Sequence, residues 1–444
     1  MRVAGFLFMK IKNIHIFGGG TVAHVANHFA VCAPAYGSTA RRLAEIISFD
    51  KRYDNMRVHL ELTKMAGGKI ETNEDVAKRI DELKADSRTK IIFFNCALVD
   101  YIPYRLETLE HYDPNKMDTV CLDSSYNAEA LGKYSFRLET SRNENIDVQF
   151  TKADKIIPNI RTGRKDIFLV GFKTTCGASK QEMYEKGLHL CKTGSVNLVL
   201  VNDTKTHWNM IVTPEEAAYH ETDDRENVLR NLVEMTYYRS HLTFTQSTVV
   251  DGKPVDWNDE RIPNSIRTVV NYCINGNAYK PFNGSTVGHF AIKLSDNEFL
   301  TSIRKSNFND LDKIGMVYVK TDGPDTVLAY GAKPSVGGQS QRIVFRNHEN
   351  MDCIVHFHSP LRPNHPCAIP VVSQREVECG SHQCGKNTSD NLKEFTLFGG
   401  LKAVMLDNHG PNIVFNRNID PQKVIDFIDF NFDLTKKTGG YNLR

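Results

Sequence analysis

Two histidines, two residues apart, close an apolar run in "DCIVHFHSP", residues 352–360. Side chains at i and i+2 of a strand project to one side, so His356 and His358 can converge while Phe357 points away. Rings placed in this way suit a divalent cation, which needs further donors. The strand-like "KAVMLDNHGP" ends in His409, where a neighbouring strand would deliver a third ring. Three histidines with one coordination position open would form a catalytic site for zinc or a similar ion, polarising a carbonyl and stabilising enolate-like charge. A bare H-x-H pair fits equally well two histidines satisfied in a core or exposed on a surface.

Two further patterns carry possible chemistry. "ECGSHQCG" gathers Cys379, His382 and Cys384, either a structural metal site short of a clear fourth ligand or an active-site or interface loop. In "IFGGGT", Gly18, Gly19 and Gly20 follow a strand and would let backbone amides approach a phosphate. Their spacing matches neither the dinucleotide fingerprint nor the Walker loop, and a plain strand-to-loop turn would use the same residues. Asn202 and Asp203, closing "LVLVND", read by themselves as a strand-ending turn.

The elements that would position these groups fall into two sets. In the first half, "IKNIHIF", "KIIFFNCALV", "DIFLVGF" and "VNLVLV" read as strands, and "TARRLAEIIS", "SKQEMYEKGLHLCK" and "RENVLRNLVEMTYYRS" as helices. Such alternation predicts a Rossmann-like parallel sheet covered on both faces. The polar, turn-rich "TQSTVVDGKPVDWNDERIPNS" reads as a connector. The second half offers a helix "SIRTVVNYCI", a hairpin "HFAIKLSDNEFLTSI", strands "GMVYV", "TVLAYG", "CIVHFH", "KAVML" and "NIVF", and helices "QSQRIVFRNH" and "PQKVIDFIDFNFDLTKK". These predict a mixed, mainly antiparallel sheet flanked by helices. The expected division is therefore a domain over 9–240, a linker over 241–258 and a second domain over 259–444. Residues 1–8 read as an alternative start ahead of Met9.

Composition narrows the class. Of 444 residues, 41% are hydrophobic and 24% charged, which is ordinary for a soluble globular chain, and no apolar run approaches the roughly 18 residues that span a bilayer. A net charge of +2 without blocks of one sign argues against a nucleic-acid partner. Ten scattered cysteines lack the regular framework of a small secreted scaffold, so a reducing cytoplasm is expected.

With these motifs in view, the second half resembles the class II aldolase/adducin domain family. Over residues 262–437, "FAIKLSDNEFLTSIRKSNFNDLD" is similar to the family's early hairpin and turn, "VHFHSP" to its H-x-H-S motif and "DNHGP" to its N-H-G motif. The resemblance implies metal ligation by His356, His358 and His409 in a three-layer α/β/α domain. It also implies homo-oligomers, commonly tetramers, with sites at subunit interfaces. Departures are equally specific. The phosphate-binding turn appears as Gly288-His289-Phe290-Ala291, without its asparagine and serine, and Gly337 replaces the usual proton-abstracting glutamate. Proton transfer needs another base near the bound substrate. Glu376, Glu378 and His382, between the two metal motifs, are the candidates, and His289 could approach the metal pocket.

The first half, over residues 11–240, resembles the phosphopantothenate-cysteine ligase domain, the C-terminal domain of the DNA/pantothenate metabolism flavoproteins. It does so through the glycine run, "FFNCALVDY", "KADKIIPNI", "DIFLVGFKTT" and "LVLVND". The resemblance implies a nucleotide and acyl-phosphate pocket at Gly18, Gly19, Gly20, Thr21, Asp100, Gly171, Phe172, Asn202 and Asp203, served by ATP or CTP with magnesium. The leading expectation is a cytoplasmic bifunctional enzyme acting on small molecules: a carboxylate–amine ligase-like domain fused to a metal-dependent lyase of the aldolase type. A dehydratase or epimerase of the same fold, or a non-catalytic adducin-like scaffold, is the alternative.

Overall fold

The computed structural model describes residues 11–103, 132–134, 148–335 and 338–443. The expected alternative start at residues 1–8 and the position of Gly337 lie outside them. Strand β1 (Lys12–Gly20) is buried along nearly its whole length. It lies between β2 (Met56–Leu62) and β3 (Thr89–Ala97), parallel to both, and β4 (Phe168–Thr175) extends the parallel set from β3. Burial on both faces explains why "IIFF" and "IFLV" are continuous apolar runs rather than alternating ones, while in "IHIF" the buried His15 pairs through Nδ1 with Glu61. Helices α1 (Ser38–Ser48), α2 (Asn73–Ala85) and α3 (Lys180–Gly194) intervene, α2 opening on a reciprocal capping box between Thr72 and Asp75.

The glycine run is strand, not loop. Gly18, Gly19 and Gly20 pair with Asn95, Cys96 and Ala97 of β3. A Cβ on Gly18 would lie 2.3 Å from Ala40 Cβ, and one on Gly20 would lie 1.6 Å from the Ala33 carbonyl oxygen. These glycines therefore admit the segment entering α1 against the strand.

Beyond β5 (Leu198–Asp203), an antiparallel hairpin of β6 (Asn209–Val212) and β7 (Ala218–Thr222) completes a seven-stranded sheet, order β7-β6-β5-β4-β3-β1-β2. Helix α4 (Arg225–Ser240) follows.

The stretch expected as a connector carries β8 (Gln246–Val250), which joins a second sheet parallel to its neighbour. After α5 (Asn264–Asn275) come β9 (His289–Ser295), β10 (Glu298–Ser302), β11 (Met316–Thr321), β12 (Thr326–Tyr330), helix α6 (Gly338–Asn347) and β13 (Cys353–His356). Then follow β14 (Val371–Val372), helix α7 (His382–Asn391), β15 (Lys393–Phe395), β16 (Leu401–Leu406), β17 (Gly410–Phe415) and α8 (Pro421–Asn431). The ten-stranded order is β8-β12-β11-β10-β9-β13-β17-β16-β14, with β15 paired to β16.

Alternation sorts this sheet's side chains between two cores. Cys353, Val355 and Phe357 join residues of α5 and α8, such as Val269 and Phe427, in one cluster. Ile354 faces the other way, with Val344 and Phe345 of α6. Cys384 of α7 packs with Val404 and Leu406 of β16 in a third, smaller cluster. Helices thus cover both faces, and the fold is α/β with a parallel-rich sheet toward the N-terminus and a mixed sheet toward the C-terminus.

Two compact units divide the chain, Met1–Lys173 with His189–Leu200, and Thr174–Leu188 with Val201–Arg444. The β6–β7 hairpin and the whole ten-stranded sheet belong to the second. No helix among the described residues is long and apolar enough to cross a membrane.

Candidate metal centre

Strand β13 ends at His356, in register with His289 of β9 on one side and Asn412 of β17 on the other. Residues opposite one another in antiparallel pairs share a face, so these three polar groups form a row across the sheet. His358 lies two residues past the strand end, with Phe357 between them in the opposite core. His409 sits in the turn between β16 and β17, its N–H donating to the Leu406 carbonyl at 3.0 Å. A Cβ on Gly410 would lie 2.0 Å from the Phe357 carbonyl oxygen, and Gly410 has φ +154°, so glycine lets the turn close on the H-x-H segment.

The outcome is a cluster of His356, His358 and His409, all buried, whose potential ligand atoms lie within 4.8 Å of one another. Ring centroids are 4.6 Å apart for His356–His409 and His358–His409, and 5.0 Å for His356–His358. His289 stacks on His356 at 4.7 Å, so it does reach this pocket. The Nε2–H group of Gln341, on α6, donates to His289 Nδ1 at 2.6 Å.

The donor chemistry fits a cation. His356 Nδ1 lies 2.8 Å from the Pro411 carbonyl oxygen, which can only accept, so Nδ1 carries the proton. Its Nε2 is left buried without a hydrogen-bond partner, as is His409 Nδ1. Burial pushes His356 down to about 4, against the bond to Pro411. Burial also depresses His409, reinforced by His356, His289, Lys437 and Arg239, and depresses His289, reinforced by His356. Neutral imidazole is the form that ligates metal.

The remaining candidate residues are placed differently. Among the described residues, no carboxylate or thiol joins the three-histidine set. His382 is the first residue of α7, which Ser381 caps, its Nε2 3.1 Å from Thr245 Oγ1 and 3.2 Å from Asp325 Oδ1. The Cys379 and Cys384 thiols do interact, but with His382 they form no metal cluster, and Cys384 also faces Gln374 Oε1 at 3.7 Å. Glu376 lies 3.3 Å from Arg375 Nη1, partly exposed. Glu378 acts electrostatically on the buried Arg239.

Two adjacent acidic residues that sequence reasoning passed over are buried in one turn, and one of them reaches the centre. Glu216 Oε2 lies 3.3 Å from His358 Nδ1, and both side chains are buried. Glu215 Oε1 lies 2.6 Å from Nη2 of Arg239, also buried. Both glutamates occupy the tight turn of the β6–β7 hairpin, "TPEEA". The proximity depends on long-range packing, and no local motif announces it.

The residues expected around a nucleotide are mostly engaged by the chain itself. Thr21 Oγ1 donates to Asn73 Oδ1 at 2.7 Å and accepts from the Val99 N–H. Asp100 pairs with Lys155 at 2.7 Å on the surface. Gly171 is buried within β4, where a Cβ would meet Val196 at 3.1 Å, and Phe172 follows it half-buried. In the second unit, Asn202 Oδ1 accepts from Thr174 Oγ1 at 3.3 Å. Asp203 accepts from the backbone N–H groups of Ala178, Lys205 and Thr206 and from the hydroxyls of Thr175 and Thr206. Burial would raise its carboxyl; the bonds from Thr206, Ala178 and Thr175 outweigh it and hold the group well below the usual range. Asp203 thus anchors the turn that ends β5.

Residues 273–420 match the family model for the Class II Aldolase and Adducin N-terminal domain. Among solved structures, the chain is similar to the DNA/pantothenate metabolism flavoprotein from Streptococcus pneumoniae: 18% identity, 50% of this chain and 97% of that one, TM-score 0.38. It is similar to the C-terminal domain of a coenzyme A biosynthesis bifunctional protein at 13% identity, 51% of this chain and 94% of that one, TM-score 0.34. It is also similar to an L-fuculose 1-phosphate aldolase at 13% identity, 38% of this chain and 84% of that one, TM-score 0.28. No curated protein matches the chain.

Proposed function

We propose that the C-terminal region is a divalent-metal-dependent lyase of the class II aldolase type, acting on a small carbonyl or sugar-derived substrate. The observation that carries this reading is the buried set of His356, His358 and His409, with His356 Nε2 and His409 Nδ1 unpartnered and the His356 ring fixed by its bond to Pro411. Buried polar atoms without partners are costly, and three convergent imidazoles are a coordination set. Zinc or a related cation held there would act as a Lewis acid on a substrate oxygen. Pro411 fixes the His356 tautomer, Gln341 fixes His289 against it, and Phe357 locks the H-x-H segment into the opposite core.

Retro-aldol cleavage of a panel of hydroxyketones and their phosphates tests the reading. Activity that is lost on chelation and restored by zinc, manganese or cobalt supports it. A metal-loaded protein inert across aldol, dehydration and epimerisation substrates favours the adducin-like scaffold instead.

For the N-terminal part we propose a nucleotide-dependent, ligase-like role, supported by the parallel sheet and by the motifs of the first half that resemble the ligase domain. Calorimetric titration with ATP and CTP plus magnesium checks it, and a chain that takes up neither is not a ligase of this type.

A further inference from the structure

We infer that Glu216 is the positioning carboxylate of the metal centre: by accepting the His358 Nδ1 proton, it directs His358 Nε2 to the cation. This rests on the metal-centre reading above. His356 already shows the same logic, with Nδ1 held by the Pro411 carbonyl and Nε2 presented to the cluster. Ligating histidines commonly donate their second N–H to a carbonyl or carboxylate, which sets the tautomer and raises ligand basicity. Glu216 Oε2, 3.3 Å from His358 Nδ1, stands where that acceptor belongs. Its absence from the set of convergent ligand atoms agrees with a role one shell out from the ion.

The turn is built to keep it there. Glu216 has φ +59°, a left-handed conformation that favours glycine and persists in other residues only where the surroundings over-determine it. Its carbonyl accepts from Tyr184 Oη at 2.8 Å and from Lys437 Nζ at 2.7 Å, and its N–H donates to the Thr213 carbonyl at 3.3 Å. Next to it, Glu215 pairs with Arg239, whose Nη2 and Nε also donate to the carbonyls of Gln374 and Arg375 at 3.0 and 2.9 Å. Burial works against the Arg239 charge, and Glu215, with Tyr219 and Glu378, outweighs it. A cation bound beside the buried Arg239 and Lys437 would meet positive charge, which the Glu216 carboxylate counters. The metal centre would therefore depend on a hairpin distant in sequence, in a chain whose family glutamate position is Gly337.

Titration of the full-length chain with Co²⁺, read by its visible ligand-field bands, tests the inference. Glu216→Gln should bind about 10- to 100-fold more weakly and shift the bands, with the melting temperature of the metal-free protein little changed. Wild-type bands with an unaltered dissociation constant and spectrum in Glu216→Gln would overturn the role of Glu216 while leaving the metal centre standing. No bands in the wild type would overturn both. Should Glu216→Gln not fold, ¹⁵N-imidazole NMR of the zinc-loaded wild type decides. Metal at His358 Nε2 with a protonated Nδ1 supports the inference, and ligation through Nδ1 overturns it.

Discussion

At the scale of single residues, the centre rests on two unpartnered ring nitrogens, that of His356 aimed by the bond its other nitrogen makes to Pro411. The sequence shows the spacing of His356 and His358 and the separate His409; it does not show that Pro411 selects the tautomer or that His289 stacks behind. Those features arise from strand register, which places His289, His356 and Asn412 in one row. Glu215 and Glu216 were invisible for the same reason, since nothing local in "TPEEA" points to a histidine far along the chain. Gly410 offers a direct check on the turn geometry. Gly410→Ala forces a Cβ to within 2.0 Å of the Phe357 carbonyl oxygen, so the turn carrying His409 must move. We expect a loss of about 1–3 kcal/mol in stability by denaturant titration, together with weaker Co²⁺ binding.

At the scale of elements, periodicity exposed most of the sheets. Buried strands such as β3 and β4 carry continuous apolar runs, and the second sheet's strands alternate between two cores. What it missed has physical reasons. Strand β2, "MRVHLEL", is an edge strand with half-exposed, charged positions, and the expected connector hides β8, a largely exposed edge strand. The β6–β7 hairpin is stitched to the loop after β14 through Arg375, which pairs with Glu234 and donates from Nε to His220 Nε2 at 2.7 Å. Burial, followed by the Arg375 charge, lowers His220 to about 4, against the pull of Glu234. Because the folded state resists protonation at His220, its contribution is complete above the unfolded value near 6.5 and is lost as pH falls towards 4. Melting temperature should drop across that window, and His220→Asn, which tolerates the left-handed φ of +53°, should flatten the drop.

At the scale of the whole molecule, the two resemblances read from motifs agree with a parallel-rich sheet followed by a mixed one. The compact units add that residues from Val201 onward, including the hairpin, cohere with the ten-stranded sheet. Metal binding should therefore stabilise that unit. Zinc at 100 times its dissociation constant contributes about 2.7 kcal/mol. Hydrogen-exchange mass spectrometry should show added protection in 353–358, 401–415 and 209–222, while 12–62 stays unchanged; protection spread evenly over both units would contradict the assignment. The central claim is the metal centre itself, and metal content of the full-length protein, equilibrated with zinc and measured by mass spectrometry, tests it most directly. We expect about one tightly held transition-metal ion per chain, lost in His356→Ala, His358→Ala and His409→Ala. A wild-type protein that holds none, or single variants that hold as much as the wild type, would contradict it.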